Sequence, residues 1–181
     1  MDQISLHILD IAENAVTVGA RLIQIILEKD EAADRLRISI LDDGPGLSPE
    51  QARQAADPFY TTRTTRRVGL GLPLARQTAE QSGGSFHIAS RPGRGTNIDL
   101  EFGLSHLDRP PLGDMGATLM TLIVGRPEMD FLYRQKTPAG EFIIDTREIR
   151  AALGDVPLSD PEVIRVLRDG IREGMAELGI V

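Results

Sequence analysis

Apolar and polar positions alternate in a pattern that switches between helical and strand periods along the first hundred residues. Ile4, Ile8, Ile11 and Ala15 form one stripe of a helix over 3–18, Asp10, Asn14 and Thr17 recur on another face, and Gly19 ends the run. Residues 22–28 and 36–41 are rich in β-formers, the second alternating as Leu36, Ile38, Ile40, with a polar turn over 29–35. Ser48 before Pro49 predicts an N-cap and a short helix to about 56. A Thr- and Arg-rich connection covers 57–70, and a helix over 72–82 carries Pro73 in its first turn and stops at Gly83-Gly84. Residues 85–90 and 97–102 alternate as paired strands around Pro92-Gly93-Arg94-Gly95. The order αββ, α, long loop, αββ predicts an α+β sandwich: a mostly antiparallel sheet with helices on one face.

Beyond Leu104 the character changes, and Arg109-Pro110-Pro111 marks a boundary, so the expected division is 1–104 and 105–181. The second part reads as a helix over 114–124, a hairpin over 130–133 and 141–145, a short helix over 147–153 and a last amphipathic helix. Ser159-Asp160-Pro161-Glu162 gives that helix a capping-box pattern, and Ile164, Leu167, Ile171 and Met175 make its stripe. This small α+β extension is expected to pack against the first part and to offer a docking or homodimerisation surface.

Composition narrows the chemistry. The 181 residues contain no cysteine, which excludes disulfides, thiolate metal ligands and a Cys nucleophile. No apolar run approaches the ~18 residues of a membrane span, and the N-terminus lacks signal-peptide features, so a cytoplasmic protein with no membrane partner is expected. The net charge of -7 argues against nucleic acid as a partner. That average hides a reversal: 18 of the 20 basic residues are Arg, and 58–79 holds Arg63, Arg66, Arg67 and Arg76 with no acid. Such a window is either a basic surface loop or an anion site.

Four features could carry chemistry. Asp10 and Asn14, four apart, place a carboxylate and an amide on one helix face. Asp42-x-Gly44-x-Gly46 follows a strand, Gly69-Leu70-Gly71-Leu72 opens a helix after the arginine window, and Gly93-x-Gly95-Thr96 precedes the last strand. Taken singly, these read as a polar face, tight turns and a weak phosphate loop.

Taken in order, and with Asp57-Pro58-Phe59-Tyr60-Thr61-Thr62, they resemble the N, G1, F, G2 and G3 boxes of the GHKL ATP-binding superfamily over residues 2 to about 104. That superfamily takes in gyrase, the heat-shock chaperone, histidine kinases and MutL, and its nucleotide site is the Bergerat fold. The Asp57 to Thr62 run and the short lid resemble the catalytic domain of histidine kinases. The resemblance implies that Asn14 coordinates Mg²⁺ on the phosphates of ATP. It implies that Asp42 accepts from the adenine amino group, that Thr96 holds a water there, and that Gly44 and Gly46 let the base approach. Gly69, Leu70, Gly71 and Leu72 would hold the phosphates at their helix start. Arg63, Arg66 and Arg67 are inferred as lid charges, since this lid has no Lys and guanidinium suits phosphate oxygens.

Three departures shape the functional expectation. Hydrolysing members carry a Glu base where this chain has Asp10, and a carboxylate set back by about an ångström can cost ~100-fold in rate. Arg67 stands where many kinases have the first lid glycine. A domain without a preceding phosphoacceptor helix is expected, and the echo of the kinase H-box at His106 has its acid at +2, so a linker is expected there. His7 and His87 are expected to be structural. The leading expectation is a stand-alone kinase-type catalytic domain that passes the γ-phosphoryl group of ATP to a separate protein. An ATP-dependent binding switch, of the anti-sigma or chaperone type, or a slow ATPase is the alternative, its partner then being a regulated target.

Overall fold

The computed structural model describes residues 3–55, 57 and 71–178. Its elements run α1 (Ile4–Thr17), β1 (Leu22–Asp30), β2 (Arg35–Asp42), α2 (Pro49–Ala55), α3 (Gly71–Gln81), β3 (Ser85–Ser90) and β4 (Thr96–Gly103), then α4 (Met115–Gly125), β5 (Asp130–Thr137), β6 (Gly140–Asp145), α5 (Thr146–Leu153) and α6 (Pro161–Glu177). The six strands form one mixed sheet in the order β3-β4-β2-β1-β5-β6, in which only the β1–β5 ladder is parallel. The fold is the α+β arrangement anticipated from the alternation of periods.

The ladders line up the alternating apolar residues in rows across the sheet. Ile25 pairs with Ile40 and Tyr133, Ile40 with Ile98, and Ile98 with Ile88. The next row runs Leu27, Ile38, Leu100 and Phe86. Together with Ile4, Ile8 and Ile11 of α1, Ala75 and Ala79 of α3, and Leu119 and Ile123 of α4, these residues make one core. Burying each large aliphatic side chain is worth about 1.5–3 kcal/mol, which is why the register is strongly specified. The opposite face is polar, with Arg37 between Asp30 and Glu101 and with Ser39 donating to Asp99 at 2.5 Å. Those half-exposed ion pairs contribute little individually.

Residues beyond 104 extend this same sheet. α4 packs on α1, and the parallel β5 lies beside β1, held at its start by Asp130 N–H donating to the Arg21 carbonyl at 2.9 Å. The caps follow local chemistry with one correction. Ser48 and Gln51 form a true capping box, Ser48 Oγ accepting from Gln51 N–H at 3.2 Å and Gln51 Oε1 accepting from Ser48 N–H at 2.9 Å. At α6 the cap is Asp160 rather than Ser159, its Oδ1 accepting from Glu162 and Val163 N–H. A carboxylate next to Pro161 at the first helical position meets two free N–H groups and the helix dipole at once.

His7 and His106 also have defined surroundings. His7 is fully buried between α1 and α3, its Nε2 3.2 Å from Thr78 Oγ1 and its Nδ1 without a partner among the described residues. Burial holds its pKa below the ordinary 6.5, outweighing the nearby Asp10 charge, which pulls the other way. His106 is exposed, and its Nδ1 accepts from Asp108 N–H at 3.2 Å.

Because His7 is neutral in the fold, the unfolded chain binds the extra proton first, and stability is lost as pH falls below the ordinary histidine range. His7→Gln keeps a hydrogen-bonding group toward Thr78 but does not titrate there. Thermal melts between about pH 7 and about pH 5 should show a steeper fall in Tm for the natural protein than for His7→Gln.

Candidate functional site

The apolar rows end at one edge of the sheet in a polar one. One pleat beyond Ile25, Ile40, Ile98 and Ile88, on the same helix-covered face, the paired positions are Ile23, Asp42, Thr96 and Ser90. Asp42 and Thr96 are directly paired, which puts their Cβ atoms about 4.5–5.5 Å apart. A cavity of about 800 Å³ opens at this end of the sheet, between α2 and the β3–β4 turn; its lining takes Asp42, Ile88, Ser90 and Thr96 from the helix-covered face and Gln24, Leu41, Ala89 and Asn97 from the alternating positions of the same strands, with Ala52 from α2. That is the size of an ordinary small-molecule site.

Two loops are fused around this row. Gly46, at φ +69°, lies so close to the Arg91 carbonyl that a Cβ there would overlap it, and a Cβ on Gly95, at φ +78°, would overlap the Asp42 carbonyl. Gly93 N–H donates to the Pro45 carbonyl at 2.7 Å. Asp43, not singled out from sequence, also lines the cavity and accepts from Arg21 and Leu22 N–H at 2.7 and 2.9 Å, pinning the start of β1.

Asp42 is half-buried, and Gly44 N–H donates to its Oδ1 at 2.8 Å. Burial raises its pKa above the usual carboxylate value; hydrogen bonds from the Gly44 and Thr96 backbone oppose the rise and the charge of Asp43 adds to it. A Cβ on Gly44 would sit 2.8 Å from that same oxygen, so a larger residue would displace the carboxylate.

Asp10 and Asn14 lie farther along, on α1. Asp10 is exposed and Asn14 half-buried. A Cβ on Gly71 would stand 3.2 Å from Asp10 Oδ2, so the first residue of α3 touches the carboxylate. The structure thus brings Asp10 to Gly71, and Asp42, Gly44, Gly46 and Thr96 to one another. Leu72 packs on the core. Arg63, Arg66, Arg67, Gly69 and Leu70 lie outside the described residues.

Ser90 was missed by sequence reasoning, although a signal exists: Phe86 and Ile88 alternate and Ser90 breaks the series. Arg53, Arg91 and Arg94 on the cavity rim carried no pattern at all.

Residues 2–106 form an ATP-binding domain of the histidine kinase type. The chain belongs to the histidine kinase-, DNA gyrase B- and HSP90-like ATPase family, which matches residues 2–106. It is similar to the sensor protein kinase FleS of Pseudomonas aeruginosa, 37% identical over 93 residues that make 51% of this chain and 23% of that one. It is 27% identical to the sensor histidine kinase ZraS of Escherichia coli over 62% of this chain and 24% of that one. The chain thus spans about a quarter of the length of these relatives. Among solved structures, the N-terminal domain of a DNA repair protein shares its fold with a TM-score of 0.54 at 14% identity, over 80% of this chain and 52% of that one.

The two close approaches make a graded test. Gly46→Ala combines a left-handed φ with an overlap on backbone and should destabilise by more than about 1–3 kcal/mol in urea unfolding. Gly93→Ala has a similar φ of +72° but no neighbour within 4 Å, and should cost only about 1 kcal/mol.

Proposed function

We propose that this protein binds Mg-ATP and transfers its γ-phosphoryl group to a separate protein. The observation that carries the reading is the polar row of Asp42, Thr96 and Ser90 closing the core at a cavity of about 800 Å³, in a member of a family whose similar chains are sensor kinases. In this reading Asp42 accepts from the adenine amino group, Thr96 helps to hold a water beside it, and Gly44 and Gly46 admit the base to the backbone. The start of α3 at Gly71 and Leu72 faces the phosphates, with Gly69, Leu70 and the lid residues Arg63, Arg66 and Arg67 completing that end.

The donor set suits Mg²⁺. The Asn14 amide has no side-chain hydrogen bond among the described residues, and it lies one turn from Asp10, so hard oxygen donors share a helix face. Asn14 would hold the ion; when bound, Mg²⁺ supplies neutralisation of phosphate charge. The acceptor oxygen or nitrogen of the partner attacks the γ-phosphorus, the bond to the β–γ bridging oxygen breaks, and ADP leaves. Asp10, beside Gly71, takes the proton of the attacking group. Its side chain is shorter than the Glu of hydrolysing members and reaches about an ångström less far toward a water, so hydrolysis is expected to be slow.

Calorimetry with ATP and Mg²⁺ and a transfer assay with γ-labelled ATP on proteins captured by the chain test this reading. Transfer to a captured protein is expected; phosphate release alone would favour the ATPase alternative, and ATP binding without either would favour the switch. Asp10→Ala should retain ATP affinity and lose transfer. Asp42→Asn should weaken ATP binding by about 100-fold or more, while its Tm at pH 7 is unchanged or higher. A raised carboxyl pKa means the folded state holds the proton more tightly, so stability is lost as pH rises through it, and Asn, a mimic of the protonated form, escapes that loss. No measurable affinity of the natural chain for ATP would refute the reading.

A further inference from the structure

Ser90 Oγ meets three groups at hydrogen-bonding distance: Leu47 N–H at 2.8 Å, the Gly95 carbonyl at 2.9 Å and Thr96 Oγ1 at 2.8 Å. Leu47 N–H can only donate and the Gly95 carbonyl can only accept. A hydroxyl has one proton and two lone pairs. The Ser90 proton is therefore taken by Gly95 and one lone pair by Leu47, which leaves the second lone pair for Thr96. The Thr96 hydroxyl is the donor in that pair, its single proton is spent on Ser90, and what it can offer the cavity is lone pairs alone.

The consequence falls on the neighbouring residue of the row. Asp42, paired with Thr96 across the ladder, is a carboxylate whose Oδ1 already accepts from Gly44, and it too offers acceptors. Two acceptors side by side on a partly buried wall call for donors opposite them, and a buried acceptor left facing another acceptor is costly. An exocyclic amino group, with or without a bridging water, satisfies such a wall. A carbonyl oxygen in its place does not.

We infer that Ser90 is a specificity-determining positioning residue, which locks Thr96 as an acceptor and so makes the site select a base with an amino group over one with a carbonyl at that edge. Ser90 does this through its hydroxyl, whose three partners are Leu47 N–H, the Gly95 carbonyl and the Thr96 hydroxyl. The three bonds also explain why a serine interrupts the alternation of Phe86 and Ile88 at the end of β3. The inference rests on the nucleotide reading given above.

The test compares ATP with inosine triphosphate, in which a carbonyl replaces the amino group and N1 carries a proton, and with purine riboside triphosphate, which lacks the amino group but keeps the N1 acceptor, by calorimetry on the full chain, with thermal melts alongside. The natural protein should prefer ATP by roughly tenfold or more. In Ser90→Ala the Thr96 proton is released and its hydroxyl can turn to donate, so ATP should weaken while inosine triphosphate holds or gains, and the ratio should fall by roughly tenfold. Ser90→Thr keeps the hydroxyl on a β-branched side chain suited to a strand and should restore the ratio. Equal weakening of ATP and inosine triphosphate in Ser90→Ala, or an unchanged ratio, would overturn the inference and leave the nucleotide reading standing. Should Ser90→Ala fail to fold, Thr96→Val decides: with the second acceptor gone the ratio must drop, and an unchanged ratio again overturns the proposal. Failure of the natural chain to bind ATP at all would bring down the nucleotide reading itself, and this inference with it.

Discussion

The register in which β1, β2, β4 and β3 are laid side by side is the constraint on which the site depends. It aligns Ile25 with Ile40, Ile98 and Ile88, and one pleat further it aligns Ile23 with Asp42, Thr96 and Ser90. A slip of one residue in any ladder would turn that strand's apolar set to the solvent face and its polar site residue away from the cavity. The energy that holds the register is hydrophobic, about 1.5–3 kcal/mol for each buried aliphatic side chain, and the polar row is carried along by it. The geometry of the polar row is thus enforced by the residues of the core.

The loops that continue these strands are held by backbone rather than by side-chain packing. Gly46 against Arg91, Gly95 against Asp42, and the Gly93 to Pro45 hydrogen bond join the turn after β2 to the turn before β4. Contact this close is possible only without a Cβ, and three positive-φ glycines supply the required conformations. The Ser90 hydroxyl then stitches the same two loops from the strand side. Adjacent carboxylates divide the labour: Asp43 ties down β1, while Asp42 accepts from Gly44 N–H in the row with Thr96.

Much of this was legible in the sequence because local chemistry and tertiary need agreed. The stripe of Ile4, Ile8, Ile11 and Ala15, the alternation of Leu36, Ile38 and Ile40, and Ser48 before Pro49 each specified an element that the fold then used, and boundaries differ by a residue or two. The spaced glycines and Asp42 pointed to a candidate site because their resemblance to a known family drew separate motifs together. What was not legible is what distance along the chain conceals. Nothing local says that β5 joins β1 in parallel more than a hundred residues later, or that Ser90 pairs with Thr96 and reaches Leu47. The α6 cap turned on a competition between Ser159 and Asp160 that pattern alone left to the capping box, whereas the charge of Asp160 and the position of Pro161 favoured the acid.

Asp42 shows why a site of this kind stands where the core ends. A carboxylate deeper in the sheet would be driven to neutrality by desolvation, and one fully in water would offer a hydrogen-bond donor no advantage over solvent. At the last row it is half-buried, its pKa raised by burial but held back by N–H groups of Gly44 and Thr96. The chain departs from its own apolar alternation at Asp42, Thr96 and Ser90 together, and each of the three side chains has a hydrogen bond within the chain. A break in a hydrophobic pattern that is matched on neighbouring strands and supported by its own hydrogen bonds is what distinguishes a built recognition surface from a defect in packing.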